Sequence, residues 1–143
     1  MTILRNVKAA ENFMGRLTHN ADLLDELTRI CVENNIKMGR IDAIGAVKKA
    51  CVGFYDQDKR VYEYITYNKP LEILNLTGNV SIKDGAPMVH AHVTLADHDG
   101  TAFGGHLAKG TIVFACEYTL TSFSGELLER GMDGETSLPL WKN

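Results

Sequence analysis

The stretch LNLTGNVSIKDGAPMVHAHVTLA, residues 74–96, decides the fold. In its first half Leu74, Leu76, Gly78, Val80 and Ile82 fall on one face of an extended chain, and Asn75, Thr77, Asn79 and Ser81 fall on the other. A period of two with one apolar face is the pattern of a strand laid against a core. Lys83-Asp84-Gly85-Ala86 has the composition of a tight turn. Pro87 to Ala96 then alternates again, with Val89, Ala91, Val93 and Leu95 on one side and His90, His92 and Thr94 on the other. Two such strands joined by a turn predict an antiparallel pair whose second face carries polar side chains.

Outward from this pair, most of the chain after Met38 reads as strand. Ile41 to Tyr55 runs into the polar turn Asp56-Gln57-Asp58-Lys59 and returns through Val61 to Tyr67, which is dense in β-branched and aromatic residues: a second hairpin. On the C-terminal side, Asp97 to Gly105 is expected to be a loop shaped by Gly100, Gly104 and Gly105. Thr111 to Phe123 is a further strand, with Ile112, Phe114, Cys116, Tyr118 and Leu120 in register. One strong helix is expected over Ala21 to Glu33, with Asn20 as its N-cap, acids Asp22, Asp25 and Glu26 near its positive end, and a stripe of Leu23, Leu24, Leu27, Ile30 and Cys31. The sum is an α+β fold with a mostly antiparallel β-sheet, in a single domain spanning residues 1–143.

Composition agrees with one folded unit. The chain has 143 residues, 45% of them hydrophobic, which suffices for one sizeable core, and no repeat or low-complexity linker divides it. Its formal net charge is -3 and its longest basic cluster is Lys48-Lys49, which argues against autonomous phosphate-backbone binding. The 3 cysteines, Cys31, Cys51 and Cys116, lie far apart without CxxC spacing among apolar neighbours, the pattern of buried reduced thiols rather than a disulfide framework. The N-terminal MTILRNVKAAENF lacks the apolar core of a secretion signal, and no apolar run reaches the ~18 residues of a membrane span, so a soluble cytoplasmic protein is expected.

The chemistry concentrates in HAHVTLADHDGTAFGGHL, residues 90–107. His90 and His92 share a strand face about 7 Å apart, so their rings can converge on one ion, and His106 can supply a third nitrogen once the glycines bring the chain back. Three neutral imidazoles with an open position suit zinc, nickel, copper or iron. The same histidines also fit a half-exposed sheet face bonded to backbone and water. Glu117 is the carboxylate candidate for a supporting hydrogen bond or a general base, and equally fits an ion pair at a sheet edge. His19 and His98 read as solvated turn residues. Arg16, Arg40 and Arg130 are candidate anion contacts or simple strand-end charges. No phosphate loop or nucleophile elbow is present, so catalytic residues stay unassigned.

These residues resemble a family: the plant and prokaryote conserved (PPC) domain, also called domain of unknown function 296. The resemblance runs from FMGRLTHNADLLDELTRIC through RIDAIGAVKKACVGFYD and LEILNLTGNVSI to HAHVTLADHDGTAFGGHL, and matches the family pattern at His90, His92, Gly100, Gly104, Gly105, His106 and Leu107. It implies a mostly antiparallel sheet flanked by helices, assembled as a homotrimer. It further implies that His90, His92 and His106 are the candidate metal trio near a subunit boundary, with zinc the expected ion, and it carries a candidate DNA-binding label. Plant members precede the domain with an AT-hook; the nearest fragment here, Met38-Gly39-Arg40, lacks its second Arg and its Pro. Three functions follow as expectations: a regulatory module holding a metal or small ligand, a metal-dependent enzyme of hydrolase or lyase type using the same histidines, and a DNA-associated protein.

Overall fold

The computed structural model describes residues 2–142. Nine strands and one helix follow in the order β1 (Lys8–Arg16), α1 (Leu23–Glu33), β2 (Gly39–Asp56), β3 (Val61–Tyr67), β4 (Leu71–Lys83), β5 (Ala86–Ala96), β6 (Ala102–Leu107), β7 (Ile112–Ser124), β8 (Glu129–Met132) and β9 (Pro139–Trp141). All form one sheet, antiparallel except for the β4–β8 pairing. The single-domain, sheet-dominated reading holds. The expectation of flanking helices is corrected to one helix among the described residues.

β2 organises the sheet because its 18 residues are long enough to serve two sets of neighbours. Its first half lies between β7 and β4, and its second half pairs with β3 and with β6. Following hydrogen-bonded neighbours from β2 through β4, β5 and β6 leads back to β2, so this part of the sheet closes on itself. Closure gives the four strands a shared interior: Ile41, Val47, Val52, Leu76, Val80, Val89, Ala91, Val93, Leu95 and Leu107 are all buried in one cluster. Side chains on alternate positions are thereby forced outward, the histidines among them.

α1 covers this core with Leu23, Leu27 and Cys31, spaced four residues apart on one stripe and fully buried. Its N-cap is Asp22, not Asn20. Asp22 Oδ1 accepts from the Leu24 and Asp25 amides at 3.1 Å, while Oδ2 accepts from the Gly110 amide at 2.6 Å, so one carboxylate caps the helix and pins the loop before β7. Asn20 instead takes a left-handed backbone with φ of 67°.

Two further corrections have one cause, the β-bulge, which adds a residue to one strand and flips everything beyond it. The β4–β5 register shifts between Ile73 and Asn75, so Ile73 and Leu71 are buried and Leu74 is 51% exposed. In β7 the register against β2 shifts near Val47, so Val113 is buried and Phe114 is 56% exposed.

Candidate metal centre

The histidine site is built from one cross-strand row. Thr77 of β4 faces His92 of β5, His92 faces His106 of β6, and His106 faces Gly53 of β2. Directly paired residues share a face, so register alone brings His92 and His106 together. His90, two residues before His92, shares that face. The ring centroids lie 5.3 Å apart for His90–His92, 5.1 Å for His90–His106 and 5.6 Å for His92–His106. One nitrogen from each ring lies within 4.8 Å of the others, a span compatible with a single ion.

The glycines work differently from the loop expectation. The turn between β5 and β6 is only residues 97–101, where Gly100 has φ of 79°, while Gly104 and Gly105 lie inside β6. A Cβ on Gly104 would strike the Val93 carbonyl oxygen, and one on Gly105 would stand 2.8 Å from the Gly53 carbonyl oxygen. Their function here is close approach of β6 to β5 and β2, which seats His106. Gly53 contributes likewise, since a Cβ there would press on the rings of Tyr62 at 3.0 Å and Tyr64 at 3.2 Å. Tyr62 uses that room to stack on His106, with centroids 4.7 Å apart and planes 30° from parallel. Tyr55 in turn meets Tyr62 edge-on and donates its hydroxyl to the Thr136 carbonyl at 2.5 Å.

The site favours neutral imidazoles. Partial burial, reinforced by His106, Arg130 and His92, pushes the His90 pKa down to about 4. Burial, with His92 beside it, also lowers that of His106. Their lone pairs are therefore free near neutrality, as metal ligation requires. His106 Nδ1 is buried and has no hydrogen-bond partner. A buried nitrogen in that state costs on the order of 1–3 kcal/mol unless something else satisfies it, and coordination of a cation by the trio is the arrangement that fits.

The other expected residues fall elsewhere. Glu117 is exposed on β7, opposite Ile44 of β2 and Arg16 of β1, with β2 and β4 between it and His92, and its carboxylate is not in the group that converges with the three imidazoles. The register thus sets Glu117 apart from the trio. His98 is a fully exposed loop residue beside Asp99, whereas His19 approaches the Phe114 carbonyl at 2.6 Å and packs edge-on against its ring. Arg40 is paired with Asp42. Arg130, a candidate anion contact or strand-end charge in the sequence, is half-buried and bonds Ser81 and Asn79 on the histidine face. Its signal was the polar side of the β4 alternation, which is exposed at Asn75 and Thr77 but closes over toward Asn79 and the buried Ser81.

The chain matches solved proteins over almost its whole length. It is 41% identical to a metal-containing protein from Archaeoglobus fulgidus, with a TM-score of 0.95 and 99% and 100% of the two chains covered. It is 32% identical to a plant- and prokaryote-conserved (PPC) protein from Pyrococcus horikoshii, with a TM-score of 0.93 and coverage of 99% and 98%. A candidate DNA-binding protein from Ralstonia eutropha JMP134 is 29% identical, with a TM-score of 0.81 and coverage of 91% and 90%. Two Synechococcus proteins described as bifunctional protein GlmU are 33% identical over 100 residues; the match takes in 69% of this chain and only 15% of theirs. The family model for the Plants and Prokaryotes Conserved (PCC) domain matches residues 4–124, and with the histidine row in that span the chain belongs to this family.

Proposed function

We propose that the protein is a homotrimeric PPC-type binding module in which His90, His92 and His106 hold a divalent transition metal, with zinc the best match to three imidazoles, and that it serves a regulatory function in the cytoplasm. The observation that carries this reading is the convergence of three ring nitrogens within 4.8 Å, beside a buried His106 Nδ1 that has no hydrogen-bond partner. The metal-containing Archaeoglobus relative supports it. Once bound, the metal supplies Lewis acidity to a ligand entering the positions the protein leaves open. The chain's own residues set the rest: Tyr62 fixes the His106 ring by stacking, and Gly104 and Gly105 hold β6 close enough for His106 to face His92.

Elemental analysis of untagged protein tests the reading. One equivalent of metal per chain is expected, lost in the His90→Ala/His106→Ala double variant, and a trimer mass is expected by light scattering. A metal-free wild type that takes up no zinc, nickel, copper or iron on titration refutes it.

The enzyme reading draws on the same open coordination positions, but among the described residues no carboxylate joins the three imidazoles in their cluster. DNA contact draws on the Ralstonia relative's description, against a net charge of -3. Among the described residues no helix is long and apolar enough to cross a membrane.

A further inference from the structure

Arg130 is held over the histidine face by three hydrogen bonds. Its Nε donates to Ser81 Oγ at 2.7 Å, one terminal nitrogen to Asn79 Oδ1 at 2.8 Å and the other to the Pro139 carbonyl at 2.9 Å. The Trp141 ring lies 5.5 Å from the guanidinium carbon on another side. Asn79 is the cross-strand partner of His90, and Asn79, His90 and His92 line one cavity. The guanidinium is therefore tethered one strand away from the trio, on the same face.

All of its partners are neutral. Arg5, Arg29 and Arg40 each face a carboxylate, but among the described residues no carboxylate lies within ion-pair distance of Arg130. Holding a half-buried cation without a counter-charge is unfavourable, and a protein that fixes one so firmly has positioned a charge for something outside itself. Of the five N–H donors on a guanidinium, three are committed here and two are free.

We propose that Arg130 binds the carboxylate of a small ligand whose other end enters the coordination positions left open by His90, His92 and His106. The proposal rests on the metal reading above. A carboxylate fits because it is a planar group that accepts in parallel from a guanidinium fork. Phosphate sites gather several cations or a free helix N-terminus. Here the arginine that lines the cavity, Arg40, is spent on Asp42, and the N-terminus of α1 is closed by Asp22.

Cobalt(II)-loaded protein tests this through its visible spectrum, which reports changes in coordination independently of turnover. Acetate should shift the wild-type spectrum saturably. Arg130→Gln should weaken acetate at least tenfold while cobalt affinity changes by less than about threefold. Asn79→Asp, which supplies the guanidinium with an internal carboxylate, should weaken it similarly and decides the matter if Arg130→Gln does not fold. Unchanged acetate affinity in a folded, cobalt-loaded variant overturns the proposal, as does a wild-type spectrum indifferent to acetate, or tighter binding of inorganic phosphate. A wild type that takes up no cobalt overturns the metal reading first, and this proposal with it.

Discussion

His90 should resist protonation far below the ordinary histidine range. Its ring is partly desolvated between β4 and β6 and shares the face with His106, Arg130 and His92, which together bring its pKa from 6.5 to about 4. At pH 5 an imidazole of ordinary pKa is about 97% protonated, whereas one at about 4 is only about 10% protonated. His90 therefore contributes almost no proton competition to metal binding at pH 5, where an ordinary histidine would weaken apparent affinity about 30-fold. The sign for stability follows from linkage. Between pH 6.5 and 4 the unfolded chain binds a proton at His90 that the folded chain refuses. Stability of the metal-free protein is thus full above pH 6.5 and falls as the pH drops toward 4. The assay is an NMR titration of the imidazole Cε1 protons in metal-free protein, with His90→Gln used for assignment. Arg130→Gln should move the midpoint upward, because it removes one of these three repulsions while leaving the larger desolvation in place. A His90 midpoint at pH 6 or above refutes the reasoning, since it would mean that the ring is as well solvated as a surface histidine.

Other consequences are sharp enough to check. Leu27→Ala deletes a fully buried side chain between α1 and the sheet and should cost about 2–5 kcal/mol in urea unfolding. Gly104→Ala forces a methyl group onto the Val93 carbonyl and should separate β6 from β5; metal affinity should drop more than tenfold, read by competition with a chelating dye, whereas Gly134→Ala, where a Cβ meets nothing, should leave it unchanged. Burial raises the thiol pKa of Cys31 to about 12 and, with a smaller push from Glu117, that of Cys116 to about 11. Alkylation at pH 8 should accordingly modify Cys51, which is partly exposed, well before either of them, as mass spectrometry of the native protein would reveal.

The parts legible in the sequence are those governed by a period. Alternation in β5 put His90 and His92 on one face because nothing interrupts that strand opposite them. The helix stripe of Leu23, Leu27 and Cys31 was equally plain. Leu74 and Phe114 were misplaced because a bulge is a property of two paired strands, and a single alternating segment carries no trace of its partner's count. Gly104 and Gly105 were ambiguous for a related reason: glycine marks both turns and close backbone approach, and only the positions of β5 and β2 decide between them. Asn20 lost the cap to Asp22 because the carboxylate could also bind the Gly110 amide, 88 residues away. Arg130 was the hardest to see. It lies on the four-residue β8, too short to show periodicity, and its meaning comes from Ser81 and Asn79, which are 49 and 51 residues distant.

The central claim is that three histidines of one sheet face hold a metal. X-ray absorption of the zinc-loaded protein tests it most directly, since scattering from imidazole rings is distinguishable from that of thiolates or carboxylates. Three imidazole nitrogens at about 2.0–2.1 Å are expected, with water or another oxygen donor completing the shell. A shell containing sulfur at about 2.3 Å, or oxygen donors without imidazole scattering, would contradict it.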